Sequence, residues 1–250
     1  MREQFLQQIE MPVSAKIIRN LPKKVFYEQA DFSKAERELF TSDVESIYLI
    51  GAMNQQTMQI AEIKSEEYVY AEIDWIYVKL RAHKQARKIT QLLHKSLPNP
   101  LVCIIESHQG KWQLSAAHKR LNKNSASKTI VEEVKTTDWM NLDDLQEYDK
   151  LLEALKSKCY PQTNLFDVYD HIFKSVHHAE TIELIGKYVP NNTNSTEYLA
   201  EIQQIQTSID ELAAKQKSSI DFAEKMQLHM QIKKKEQKME SFKKLLEEMD

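Results

Sequence analysis

Glycine is scarce in this sequence. Only Gly51, Gly110 and Gly186 occur among 250 residues, against a usual share of roughly 7%. A Walker A loop needs two glycines spaced around a phosphate, and G-x-G-x-x-G needs three. The three here stand far apart, so P-loop, kinase-like and dinucleotide-binding readings lose their phosphate cradles. Cysteine is equally sparse. Cys103 and Cys159 allow no disulfide framework and no C-x-x-C site. Cys103 sits in the run Leu101-Val102-Cys103-Ile104-Ile105, where a free thiol packs as a small hydrophobe. No apolar run approaches the roughly 20 residues that span a bilayer. The opening Met1-Arg2-Glu3-Gln4-Phe5-Leu6 lacks the apolar core of a signal peptide. A cytoplasmic protein without membrane contact is the expectation. One-sided charge is absent too: 34 Lys+Arg face 37 Asp+Glu, a formal net of -3, so no global basicity points to nucleic acid.

What is present reads as α/β, or α+β, over residues 1–138. Phe5, Leu6 and Ile9 make a short amphipathic start that Pro12 ends. Ser33 with Glu36 has the spacing of a capping box, and Leu39, Phe40, Val44 and Ile47 then share one helical face. Ile47 to Ile50 reads as a strand, Asn54-Gln55-Gln56 as a turn, and Thr57 to Ile60 alternates. Tyr68 to Leu80 is the longest strand signal, rich in β-branched and aromatic residues. Ala86, Ile89, Leu92, Leu93 and Leu97 recur at helical spacing, and Pro98 closes that helix. Leu101 to Ile105 is wholly apolar, as a buried central strand is. Gly110 turns the chain, and Trp112, Leu114 and Ala116 alternate after it. The order is helix, antiparallel strands, crossover helix, central strand, strand. That is also the order of restriction-endonuclease-like cores.

Residues 139–195 read as a helical connector, with apolar stripes at Leu142 to Leu155 and Leu165 to Val176 divided by Pro161. Pro190 to Ser195 is polar and turn-prone, the best linker in the chain. Residues 196–250 hold no glycine or proline. Ile202, Ile205, Ile209 and Leu212 step by three, four and three, as do Met239, Phe242, Leu246 and Met249. The stripe blurs from Gln216 to Ser219, which predicts an antiparallel coiled-coil hairpin and not one rod.

These segments in this order resemble a bacterial family, the domain-of-unknown-function family 4391. The resemblance lies in Leu21-Pro22-Lys23-Lys24-Val25-Phe26-Tyr27-Glu28, the Ser33 helix, Val44-Glu45-Ser46-Ile47 and Thr57-Met58-Gln59-Ile60. It continues through the Tyr68 to Leu80 strand, Pro98-Asn99-Pro100-Leu101, Ala117-His118-Lys119-Arg120, Leu165 to Phe173, and Phe222, Lys225 and Leu228 in the tail. The resemblance implies genes beside helicases and DNA methyltransferases in antiviral defence clusters. Where the family strand often carries Glu before its Leu-Lys end, this chain has Tyr77-Val78-Lys79.

Two kinds of site follow. Under a nuclease reading, Mg²⁺ would be held by Glu62 of the E-x-K tripeptide Glu62-Ile63-Lys64 with Asp43, or by Asp74 with Lys79. The bland reading of Glu62 to Glu67 is a charged hairpin turn. Lys111, Lys119, Arg120, Lys123 and Lys128, interleaved with Trp112 and His118, form a local basic cluster fit for phosphates and unpaired bases. The bland alternative is a solvated strand edge guarded by lysines. His171, His177 and His178 have no ordered ligand set beside them and read as surface histidines. The leading expectation is a non-catalytic accessory protein without cofactors, docking on DNA or on a helicase, nuclease or methyltransferase component. Ile202, Ile209, Leu212, Phe242 and Leu246 would meet the partner or a second copy. A metal-dependent nuclease and a purely structural coiled-coil scaffold are the rivals.

Overall fold

The computed structural model describes residues 2–122, 125–141 and 146–249. They form two compact units, Met1–Ala179 and Glu180–Asp250. In the first, the order is α1 (Arg2–Gln8), β1 (Lys16–Asn20), α2 (Lys23–Gln29), α3 (Lys34–Asp43), β2 (Val44–Asn54), α4 (Gln55–Met58), β3 (Ile63–Lys64), β4 (Val69–Tyr70), β5 (Glu72–Leu80), α5 (Ala86–Ser96) and β6 (Leu101–Glu106). There follow β7 (Trp112–Ala117), β8 (Lys119–Asn122), β9 (Ser125–Val131), β10 (Lys135–Thr136), α6 (Asp149–Ala154) and α7 (Leu165–His178). The second unit holds α8 (Glu180–Ile185), α9 (Thr193–Ser218) and α10 (Phe222–Glu247).

The main sheet has six strands in the order β1-β2-β5-β6-β7-β10. Only the β5–β6 pair is parallel, because α5 carries the chain across between them. β6 lies inside the sheet and every residue of it is buried, as its apolar run predicts. Successive side chains on a strand point to opposite faces. Leu101, Cys103 and Ile105 therefore join Ile76, Val78 and Leu80 against α2, α3 and α5. On the opposite face Trp112 stacks on Phe5 of α1 and meets Tyr77. Tyr169 of α7 donates there to the Leu101 or Ala117 carbonyl and accepts from the Ala117 amide. Gly51 is fixed by close approach: a Cβ there would lie 2.7 Å from the Met11 Sδ.

Three elements differ from the sequence reading. α3 stops at Asp43, so Val44 and Ile47 open β2 instead of extending a helical face. Thr57 to Ile60 forms no strand. Asn54 Oδ1 accepts from the Gln56 and Thr57 amides at 3.0 Å, and Thr57 Oγ1 accepts from Asn54 at 2.9 Å. That reciprocal cap starts the turn of helix α4. The long strand from Tyr68 is cut in two. β2 ends opposite Glu72, so the chain before that residue has no partner in the main sheet. Val69–Tyr70 pairs with Ile63–Lys64 in a separate ribbon. Within β5 both faces are buried, Trp75 and Tyr77 included.

In the second unit α9 and α10 are 26 residues each and run antiparallel. Asn192 caps α9 and Asp221 caps α10. Leu199 and Ile202 pack with Leu246, and Ile205 and Ile209 pack with Ile232. Gln216 Nε2 donates to the Lys225 carbonyl near the turn between the helices.

Candidate functional site

At the end of the sheet where β5 and β6 begin, polar groups gather in a knot around the buried side chains of Lys119 and Asp74. Pro98-Asn99-Pro100 forces the chain out of helix and into β6. That turn leaves the carbonyls of Leu97 and Asn99 pointing inward. The Lys119 ammonium donates to both at 2.6 Å, and Lys119 is only 3% exposed. Asp74 enters from β5, 9% exposed, accepting from Asn99 Nδ2 at 3.1 Å. Beside it Asn54 Nδ2 donates to Glu72 at 2.8 Å. Burial pushes Lys119 down to about 7, against the pull of Cys103 and Asp74. Burial likewise pushes Asp74 up to about 6, opposed by the Asn99 hydrogen bond, with Glu72 adding to the rise. Lys119 lines a concavity with Val69, Asn99, Arg120, Leu121 and Thr129, and Asp74 lies behind it, outside that lining.

The knot sets a pH dependence. Asp74 binds its proton more tightly folded than unfolded. Its contribution to stability is whole below about pH 4 and is lost as pH rises through about 6. Lys119 works the other way, since its depressed pKa favours the fold as pH climbs above about 7. Asp74→Asn is expected to gain about 1–3 kcal/mol on the native chain between pH 4.5 and 7.5. Urea midpoints at the two pH values measure this, and parallel profiles would remove Asp74 from the role.

The sequence-derived metal ligands are not brought together. Glu62 and Lys64 pair with each other at 3.3 Å on the outside of the small ribbon. Asp43 precedes β2 and Glu62 follows its far end, so the 11 residues of that strand set them roughly 35 Å apart at ~3.3 Å per residue. Lys79 is drawn to Glu45 at 3.3 Å, and an odd offset puts it on the other face of β5 from Asp74. Among the described residues, no group of three or more His, Cys, Asp or Glu is placed to hold a metal ion.

The basic cluster also disperses. Lys111 is exposed at the β6–β7 turn, while Lys119 follows the far end of β7, ~26 Å away at ~3.3 Å per residue. Lys119 is buried on carbonyls and is not a surface cation. Arg120 lies 4.0 Å from Glu132. Lys123 and the side chain of Lys128 lie outside the described residues. Trp112 is a fully buried core residue. His118 sits among Tyr70, Phe166, Tyr169 and Phe173, its Nδ1 2.7 Å from the Tyr70 hydroxyl and its Nε2 3.2 Å from Asp170. Neither ring is presented to a base. The histidines of α7 are not surface groups either. His178 is fully buried, His171 donates to the Ala154 carbonyl at 2.8 Å, and burial lowers His177 to about 4.

The expected partner residues of the tail lie in the seam between α9 and α10. Ile202, Ile209 and Leu246 are buried there, and Leu212 and Phe242 are half-buried against them. They hold the two helices to each other. Exposed apolar residues near the turn are others: Ile220, Phe222, Met226 and Met230, at 101%, 74%, 47% and 68% exposure, with Leu245 exposed toward the end of α10. Phe222, Met226 and Met230 step by four along α10, so they share one outer face. Sequence reading passed over them because it assigned the apolar residues of the tail to a single seam.

The sequence matches the family described as Domain of unknown function (DUF4391) over residues 9–239. The chain belongs to this family. No curated protein and no solved structure matches. The DUF4391 span takes in the whole six-stranded sheet, the Lys119–Asp74 knot, α9, and α10 as far as Met239. The outer face of α10 at Phe222, Met226 and Met230 therefore lies inside the DUF4391 region. No helix among the described residues is long and apolar enough to cross a membrane.

Proposed function

We propose that the protein is a non-catalytic accessory component of a bacterial DNA-processing or defence system, and that its last two helices are a coiled-coil hairpin that docks on a protein partner. One observation carries this reading. Toward the turn, apolar side chains lie on the outside of the helix pair. Gln216 reaches across to donate its side-chain amide to the Lys225 main-chain carbonyl, while Ile220, Phe222, Met226 and Met230 are exposed. Burying apolar side chains in the seam and exposing polar ones is the arrangement that stabilises a hairpin by itself. The reverse costs stability unless a partner covers the outer face. The polar knot at Lys119 serves on this reading to lock the sheet that carries the rest of the fold.

The test is co-expression with the products of adjacent genes, helicase and methyltransferase components first. A stable complex is expected with the native chain. It is expected to be lost with Phe222→Ser, Met226→Ser and Met230→Ser combined, at unchanged helix content. A complex that survives the triple change would sink the reading.

A restriction-endonuclease-like nuclease is supported by the order α3, β2, β5, α5, β6 with β5 and β6 parallel. The residues proposed to hold Mg²⁺ there do not fit one ion, since Asp43 and Glu62 stand at opposite ends of β2 and Glu62 is paired with Lys64.

A further inference from the structure

β5 and β6 run parallel, so the turns that follow them leave the sheet at the same end. His83 stands in the first turn and His108 in the second. Both turns are fixed by hydrogen bonds. The His83 carbonyl accepts from the Ala86 amide at 3.1 Å, and Arg81 just before it donates to the Ser42 and Val44 carbonyls at 3.2 and 2.9 Å. Around His108 the Gly110 amide donates to the Ser107 carbonyl at 3.0 Å, and the Ser107 amide to the Lys111 carbonyl at 2.8 Å. The two imidazoles meet with their Nδ1 atoms 3.0 Å apart. Their ring centroids are 4.8 Å apart and their planes 12° from parallel. The centroids stand farther apart than the nitrogens, so each ring turns its Nδ1 toward the other and the rings do not lie face to face. His83 is half-buried and His108 exposed.

We infer that His83 and His108 together bind one divalent transition-metal ion of the nickel, copper and zinc group through their Nδ1 atoms. The site is separate from the carboxylates weighed above and does not depend on the docking reading. Imidazole nitrogens lie ~2.0–2.1 Å from such an ion. Two of them at right to tetrahedral angles about one ion are ~3.0–3.4 Å apart, with ring centroids ~4.6–5.3 Å apart. Both separations in the His83–His108 pair fall in these ranges. Without an ion, one Nδ1–H donates to the other, bare Nδ1. With an ion, the donor ring carries its proton on Nε2, and both Nδ1 lone pairs reach the metal. Little else has to move. The ligand set names the class of ion. Imidazole suits nickel, copper and zinc, whereas magnesium and calcium take oxygen ligands. Two side chains are fewer than the four of a closed structural site, and water fills the remaining positions at this exposed edge. The ion ties the β5–α5 turn to the β6–β7 turn.

Titration calorimetry and thermal melts of the full-length chain test this with nickel, copper and zinc chlorides. Each ion is expected to bind and to raise the melting temperature, because a ligand of the folded state alone stabilises that state. Magnesium chloride is expected to do neither. Copper should also quench the fluorescence of Trp139, whose ring centroid is 6.2 Å from that of His83. His83→Ala and His108→Ala should melt with the native chain when no metal is present, as changes at such sites usually do. Each should weaken binding at least about tenfold, a loss of ~1.4 kcal/mol. His229→Ala, which removes an exposed histidine of α10, should bind as the native chain does. Absence of binding by all three ions overturns the inference and leaves the pair a hydrogen bond between neutral rings. So does an affinity that survives His83→Ala and His108→Ala combined, or one that falls equally in His229→Ala. Magnesium bound as tightly as nickel would overturn it too.

Discussion

Lys119→Glu is expected to lower the stability of the first unit by about 3–5 kcal/mol, since it leaves two buried carbonyls unpaired at about 1–3 kcal/mol each and buries a carboxylate without a partner. The substitution removes the donor to the Leu97 and Asn99 carbonyls and sets a second carboxylate near Asp74. For a unit of this size it corresponds to a fall in melting temperature of roughly 10 °C or more. Lys119→Met keeps the length of the side chain without charge, and is expected to recover part of the loss, leaving two carbonyls unsatisfied at about 1–3 kcal/mol. Arg120→Glu and Lys111→Glu are controls at exposed or partly exposed sites, expected within about 0.5 kcal/mol of the native chain. Thermal melts of the four variants decide the matter. If Lys119→Glu melts with the native protein, the buried knot is not a stabilising element.

Ile202→Asp is expected to have the largest effect on the second unit. The residue is 2% exposed in the seam against Leu246. Losing the side chain forfeits burial and leaves a cavity, ~2–4 kcal/mol, and the carboxylate adds the cost of an unpaired buried charge. Leu212→Asp is expected to cost less, because Leu212 is only half-buried. Phe222→Ser, far more exposed, should leave the urea midpoint nearly unmoved. This ordering of three variants separates residues that hold the helices together from those that face a partner. An equal loss for Phe222→Ser and Ile202→Asp would show that Phe222 is covered within the unit itself.

The parts of the fold legible in the sequence are those that local chemistry determines. Five consecutive apolar residues marked β6, Ser33 with Glu36 marked the start of α3, and the spacing from Ala86 to Leu97 marked α5. The parts that were not legible depend on partners distant in the chain. Tyr68 to Leu80 has uninterrupted strand chemistry, yet it is divided because β2 runs out opposite Glu72. Lys119 looks in sequence like one lysine among several. Its burial follows from two carbonyls 22 and 20 residues earlier, freed by a proline-bounded turn. Asp74 did leave a signal, a carboxylate directly before the apolar and aromatic run Trp75-Ile76-Tyr77-Val78. In the tail the heptad steps predicted a seam, but periodicity alone does not say which apolar residues lie outside it.

The bond from the Gln216 side chain to the Lys225 carbonyl, in place of apolar packing, has a consequence for motion. Leu199, Ile202 and Leu246 close the α9–α10 pair far from the turn, and little apolar contact closes it near the turn. Local opening costs least where the fewest apolar contacts must be broken. Amide hydrogens in α9 and α10 are therefore expected to exchange in a gradient, fastest around Ser218 and slowest around Ile202. The turn between the helices is the part of this unit that unravels and re-forms most often, so a segment binding there meets a surface able to adjust while the far end of the pair stays closed.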